Sequence, residues 1–203
     1  MKPTEERIVP EWMKPTNGLL LEHVARYYFA APYVRGRVLD LACGAGYGTQ
    51  MVAKLRKKEV EEVIGVDRDR DAVEYARRTY YHPLAHYRVA DATDPELPEK
   101  LGTFDTVLSF ETLEHMPDDR FFVRQLERLL RRGGTLVLST PFGRGRGIPC
   151  KDPFHFHQLT PAEFHELFGG FREKTFFYQR GVTFESACRE GVRYPFGIAV
   201  CRK

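Results

Sequence analysis

From residue 36 onward, short aliphatic and β-branched runs alternate with longer segments of helical spacing. This is the pattern of a parallel sheet whose strands are joined by crossover helices. The runs 37–41, 63–66, 86–89, 104–110 and 135–140 predict five strands, and 173–178 and 196–201 predict two more near the end of the chain. Phe122, Leu126, Leu129 and Leu130 recur at helical spacing, which predicts a helix over 118–130 stopped by Gly133 and Gly134. Arg128, Arg131 and Arg132 fall at its C-terminal end, where cations complement the helix dipole. Thr160, Pro161 and Glu163 make a capping box with proline at the first helical position, so another helix begins there. Ahead of the first strand, residues 18–31 are helical in pattern, with Leu20, Leu21, Val24 and Tyr27 or Tyr28 toward one side. This appendage is placed to pack on the sheet or cover its C-terminal edge.

The 203 residues favour one domain, 1–203, with 1–35 as the helical appendage. A hydrophobic share of 42% with 29% charged residues excludes a disordered or low-complexity chain. No apolar stretch approaches the roughly 20 residues of a membrane span, and the charged, proline-containing start is unlike a signal sequence, so a cytoplasmic protein is expected. Cys43, Cys150, Cys188 and Cys201 are scattered without a CxxC pair, which predicts free thiols. A net charge of +3, with both signs interleaved, argues against an extended nucleic-acid groove and leaves a local anion site open.

The most informative stretch is Val38-Leu39-Asp40-Leu41-Ala42-Cys43-Gly44-Ala45-Gly46-Tyr47-Gly48. A buried strand running into G-x-G places glycine where the backbone turns tightly and approaches a ligand. The spacing is GxGxG rather than the GxGxxG of dinucleotide sites, and Asp40 stands inside the strand. The next strand ends in Asp67, placed to accept two ribose hydroxyls, and the third ends in Asp91, placed to meet an exocyclic amine. Helix N-capping is the alternative for both acids.

These residues resemble the class I S-adenosylmethionine-dependent methyltransferases. The first motif is VLDLACGAGYG, the ribose acid lies in VIGVD and the adenine-side acid in VADATD. The fourth and fifth strands are FDTVLSFETLEH and GGTLVLSTP, so the likeness spans roughly residues 36–141. Glu6-Arg7-Ile8-Val9-Pro10 and Glu22-His23-x-x-Arg26-Tyr27 are similar to the start of a bacterial subgroup associated with sugar and cell-surface polysaccharide pathways. The resemblance implies an α/β Rossmann-like fold with a seven-stranded, mostly parallel sheet, an antiparallel C-terminal hairpin and an N-terminal helical cap. It implies S-adenosylmethionine as cofactor, with Asp40, Gly44 and Gly46 at its methionine half, Asp67 at the ribose, Asp91 and Ala92 at the adenine, and Ala42 and Arg68 also among the cofactor-binding residues. Phe110 and Glu111 would lie near the sulfonium and the acceptor.

Methyl transfer is an in-line displacement, so the enzyme aligns a nucleophile and removes its proton. His115, His155 and His157 follow strands on the cofactor side and are the candidate bases. Two metal-dependent branches of the family, ubiquinone-pathway and small-RNA 2′-O-methyltransferases, look similar at the ETLEH string. By that likeness a divalent metal such as Mn²⁺, Fe²⁺, Co²⁺ or Zn²⁺ would bind Glu111, Glu114, His115 and His155. In metal-free members the same string orders the loop. Cys43 reads as a small residue filling a tight turn. The GRGRG loop, within the acceptor-side segment 141–159, brings Arg144, Arg146 and Lys151 as a phosphate grip or as a solvated, mobile stretch. Phe154, Phe156, Phe176, Phe177 and Tyr178 either face an acceptor or belong to the core. The leading expectation is O-methylation of a sugar, nucleotide-sugar or similar small polar acceptor, together with segments 18–31 and 141–158 as the acceptor pocket. An RNA 2′-O-methyltransferase, with the basic loop and helix-end arginines on one face, is an alternative. So is a non-catalytic adenosine-binding module. No membrane partner is expected, and a homodimer is left open.

Overall fold

The computed structural model describes residues 7–150 and 152–203. In chain order the strands are β1 (Gly36–Leu41), β2 (Val60–Asp67), β3 (Ala85–Val89), β4 (Phe104–Phe110), β5 (Leu130–Pro141), β6 (Glu173–Arg180), β7 (Thr183–Glu185) and β8 (Phe196–Arg202). They form one sheet in the order β3-β2-β1-β4-β5-β8-β6-β7, parallel from β3 to β5 and antiparallel beyond. The chain runs outward from β1 to β3 and returns on the other side of β1 to form β4. That reversal opens a crevice at the C-terminal ends of β1 and β4, where open α/β sheets bind ligands.

Both faces of the sheet are covered, which is why β1 and β2 read as continuous apolar runs. Leu39, Leu41, Ile64 and Val66 face one layer, formed by α4 (Leu97–Leu101), α5 (Asp119–Leu129) and α6 (Pro161–Glu166). Val38 and Val63, one step out of phase, face α1 (Gly18–Ala30), α2 (Tyr47–Leu55) and α3 (Arg70–Thr79). The predicted capping box at Thr160 is present, with Glu163 returning its side chain to the cap.

Two local expectations are corrected. Helix α5 ends at Leu129, because Leu130 turns to extended backbone and buries its side chain as the first residue of β5, beside Phe104. Gly133 and Gly134 therefore lie inside β5 and do not stop the helix. Arg128 lies in its last turn, while Arg131 pairs with Asp105 at 2.7 Å. The sheet also has eight strands rather than seven, because Thr183–Glu185 folds back on β6 within the segment read as a connection. Among the described residues no helix is long and apolar enough to cross a membrane, and the four cysteines are free.

Candidate functional site

A cavity of about 700 Å³ lies over the C-terminal strand ends, lined by the residues that leave β1, β2, β3 and β4 in turn. Of the residues expected there, Ala42, Gly44, Asp67, Arg68, Asp91, Ala92, Phe110 and Glu111 line it. Gly44 has φ +56°, and its N–H donates to Asp67 Oδ2 at 2.9 Å. Asp67 Oδ1 accepts from the N–H of Asp69 at 2.9 Å. The N-cap of α3 is Asp69, so Asp67 is not a helix cap; it ties the glycine turn to β2 and still faces the cavity. Asp91 accepts from Thr93 N and Oγ1, both at 2.8 Å, in a tight turn rather than at a helix start.

Ala42 and Glu111 are the non-glycine residues with positive φ among the described residues, at +61° and +49°. Both stand at the cavity wall, where strained backbone commonly serves a site.

Asp40 and Gly46 do not line the cavity. Asp40 is buried behind the turn, accepting from Thr49 Oγ1 at 2.6 Å and from the Tyr27 hydroxyl at 3.2 Å. Gly46, at φ +89°, has no room for a side chain: a Cβ would sit 2.5 Å from that of Ala76 and 2.7 Å from the Tyr87 ring. Both support the turn from behind: alternation along β1 puts Asp40 on the face of Val38, where Tyr27 and Thr49 enclose it. Burial also pushes the Cys43 thiol well above its ordinary range, which suits a packing residue.

Burial raises the Asp40 carboxyl to about 6, against the hydrogen bonds that stabilise its charge. The unfolded chain releases this proton near pH 4, whereas the folded chain keeps it to about 6. Over that window the folded state binds more protons, so the stability Asp40 contributes at low pH is lost as pH rises through about 6. Melting curves of the parent and Asp40→Asn from pH 4 to 7 should show the parent losing ground to the variant. A difference that does not change with pH would contradict this.

Helix α1, the segment expected to help form the acceptor pocket, reaches the cavity through His23, a residue not individually expected as a site group. His23, Arg26 and Tyr27 share one helical face by their i, i+3, i+4 spacing, a signal that could have found them. His23 lines the cavity and meets the Tyr47 hydroxyl through Nδ1; burial and the nearby Arg26 lower its pKa to about 3, so it is neutral. The fully buried Arg26 pairs with Glu111, donates to Gln179 Oε1 at 2.8 Å and lies over the Phe196 ring. Burial raises the Glu111 carboxyl despite this cation.

In the same cavity, His115 and His155 stack edge to face with centroids 4.8 Å apart. Glu114, His115 and His155 offer ligand atoms all within 4.8 Å of one another. Glu114 is buried, accepts from Thr140 Oγ1 at 3.0 Å, and is raised by burial to about 8. Glu111, expected as a fourth ligand, is committed to Arg26 instead.

His157 is not a cavity residue. It is buried, 3.7 Å from Asp119, because the loop turns inward there to pack beside α5. Arg146 pairs with Asp119, and its N–H donates to Glu163 at 3.0 Å. Arg144 donates to the Pro149 carbonyl at 2.6 Å. These two arginines fasten the loop from within, and they leave β5 at the end opposite Arg131 and Arg132, so the two basic groups share no face. Lys151 and Glu6 lie outside the described residues. Tyr178 is buried and Phe176 and Phe177 are half-buried, whereas Phe154 and Phe156 are exposed at the cavity.

A glycine turn at a topological switch point, with carboxylates at successive strand ends, defines a nucleoside-binding α/β protein. Residues 39–138 match the family described as Methyltransferase domain. A Mycobacterium tuberculosis (strain CDC 1551 / Oshkosh) protein named as a probable S-adenosylmethionine-dependent methyltransferase is 35% identical over 169 residues, covering 81% of this chain and 58% of its own. A ubiquinone biosynthesis O-methyltransferase of Xanthomonas oryzae pv. oryzae is 38% identical over 109 residues, 51% of this chain and 42% of its own. The chain thus spans less than two thirds of these curated relatives. In fold, it matches a SAM dependent methyltransferase from Archaeoglobus fulgidus with a TM-score of 0.65 at 17% identity, over 92% of this chain and 95% of that one. The chain belongs to the class I S-adenosylmethionine-dependent methyltransferase family, which implies S-adenosylmethionine as its cofactor.

Proposed function

We propose that this protein transfers the methyl group of S-adenosylmethionine to an oxygen of a small polar acceptor such as a sugar or nucleotide-sugar. The observation that carries this reading is the His115–His155 pair, which lines the same cavity as Glu111 and the glycine turn. In this reading the ribose hydroxyls bond Asp67, the adenine lies by Asp91 and Ala92, and the sulfonium sits between Ala42 and Phe110. A lone pair of the acceptor oxygen attacks the methyl carbon, and the carbon–sulfur bond breaks with its electron pair left on a neutral thioether. The hydroxyl proton passes to His115 or His155. Burial lowers the pKa of His155, which keeps it neutral and able to accept. Helix α1 and the loop after β5 shield the reacting atoms, each contributing to the wall through His23 and through residues 153–156.

The set Glu114, His115 and His155 also suits a divalent transition metal, two imidazoles and a carboxylate being a common donor set. Such an ion would lower the pKa of the acceptor hydroxyl. The small-acceptor reading is favoured over RNA by the internal use of Arg144 and Arg146.

The test is transfer from methyl-labelled cofactor to a panel of sugars, nucleotide-sugars and an RNA oligonucleotide, repeated after chelation. Label in an alkali-stable ether of a sugar-type acceptor is expected; label only in RNA, or none with cofactor bound, would overturn the reading. Elemental analysis after incubation with Mn²⁺ and Zn²⁺ decides the metal: it should be retained by the parent and lost in His115→Ala. A parent that holds none leaves the imidazoles as bases alone.

A further inference from the structure

We propose that the acceptor is an amphiphile, with its oxygen-bearing polar head in the cavity and a hydrocarbon tail that leaves it across Phe154 and Phe156. The inference rests on the methyl-transfer reading for the head and adds the class of molecule that carries it.

Phe154 and Phe156 are 63% and 60% exposed, among the most exposed large hydrophobic residues of the described chain, and both line the cavity. Hydrophobic rings standing singly on a surface need no explanation, but two adjoining one cavity mouth form a patch. Their neighbours in sequence behave differently: His155, between them, packs on His115, and His157 is buried. The segment therefore sorts its side chains, imidazoles inward and phenyl rings outward.

The backbone holds them there. Phe156 N–H donates to the Glu114 carbonyl at 2.9 Å, and Phe154 N–H donates to Asp152 Oδ1 at 2.9 Å. The Phe154 carbonyl lies 3.2 Å from His115 Nδ1. The hydrogen bonds that hold this segment against Glu114 and His115 thus also set the backbone from which the two exposed rings project.

The apolar surface is continuous with the cavity, since Phe154 and Phe156 line it together with Met116 and Pro153. A molecule that was polar throughout would bond His115 and His155 and leave the exposed rings of Phe154 and Phe156 uncovered. An alkyl or isoprenoid tail instead covers the rings as its head reaches His115 and His155. Continuity between patch and cavity selects the acceptor itself as the occupant, rather than a separate partner.

The probe is a series of alkyl β-glucosides, methyl, hexyl and octyl, titrated calorimetrically below their micelle concentrations into protein loaded with S-adenosylhomocysteine. A fully buried methylene is worth a factor of about four in affinity, so a partly covered octyl chain should bind at least about tenfold tighter than methyl. In the Phe154→Ser/Phe156→Ser double variant that dependence on chain length should vanish while the melting temperature is retained. Equal binding of methyl and octyl, no binding of either, or chain-length dependence surviving in the double variant would overturn the proposal. Light scattering adds one outcome: a dimer of the parent that the double variant abolishes would make the rings a self-contact and also overturn it. Failure of the underlying reading is separate, because it would appear as no binding of S-adenosylhomocysteine.

Discussion

Asp67→Ala will weaken binding of S-adenosylmethionine and S-adenosylhomocysteine by tenfold to about a hundredfold, corresponding to the roughly 1.5–3 kcal/mol of a hydrogen bond to a charged group. Two separate losses contribute. In the proposed complex the ribose hydroxyls lose their charged acceptor. The glycine turn also loses its anchor, since Asp67 accepts from Gly44 N–H at 2.9 Å and from Asp69 N–H at 2.9 Å. Asp67→Asn separates the two, because it keeps one carbonyl oxygen for the backbone but cannot accept on both sides. Its affinity should fall between parent and alanine. Calorimetric titration of the three proteins checks the order, and a parent-like affinity for Asp67→Ala would remove this residue from the cofactor site.

The second large effect is expected at Gly48. A methyl group placed there would fall within the Tyr27 ring. That ring cannot swing aside: it is buried, its hydroxyl donates to Asp40, and it packs edge-on against Phe110 at 4.9 Å and Tyr47 at 5.8 Å. Gly48→Ala should therefore destabilise the protein by about 1–3 kcal/mol, the usual cost of overpacking a core. It should also loosen α1 from the cofactor turn and so weaken cofactor binding. Tyr27→Leu in the Gly48→Ala background, which removes the colliding ring edge, should recover part of the lost stability. A Gly48→Ala melting temperature equal to the parent's would show that α1 does not bear on this glycine.

The third glycine of GxGxG thus has a meaning that its spacing did not disclose. Gly44 adopts a left-handed turn at the cavity, as its position after a buried strand implied. Gly46 is needed for α3 and Tyr87. Gly48 is needed for a tyrosine 21 positions earlier in the chain, and nothing local to the motif encodes that contact. Asp40 is a similar case. Its place in the strand was plain, but the packing of Tyr27 and Thr49 against it made it a buried support behind the turn rather than part of the cavity wall.

The strand runs, the capping box at Thr160 and the acids following β2 and β3 were legible because they depend on periodicity and on neighbours within a few residues. The end of α5 was not, because Leu130 gained more by entering the sheet beside Phe104 than by extending the helix. The histidines divide on the same principle. His115 follows a strand end, and its approach to the cavity is short-range. His155 and His157 lie on one loop, two positions apart, and their fates differ because of backbone bonds to distant elements: Phe156 to the Glu114 carbonyl and Gly145 to the Gln158 carbonyl. Glu111 was drawn from the expected ligand set by Arg26, a residue of the N-terminal helix. The sequence by itself determined the α/β architecture, the glycine turn and the acids at the strand ends, all of which follow from local spacing and side-chain alternation. Only the tertiary structure decided which side chains face the cavity, because that depends on contacts between segments far apart in the chain and on which polar groups burial leaves for them to meet.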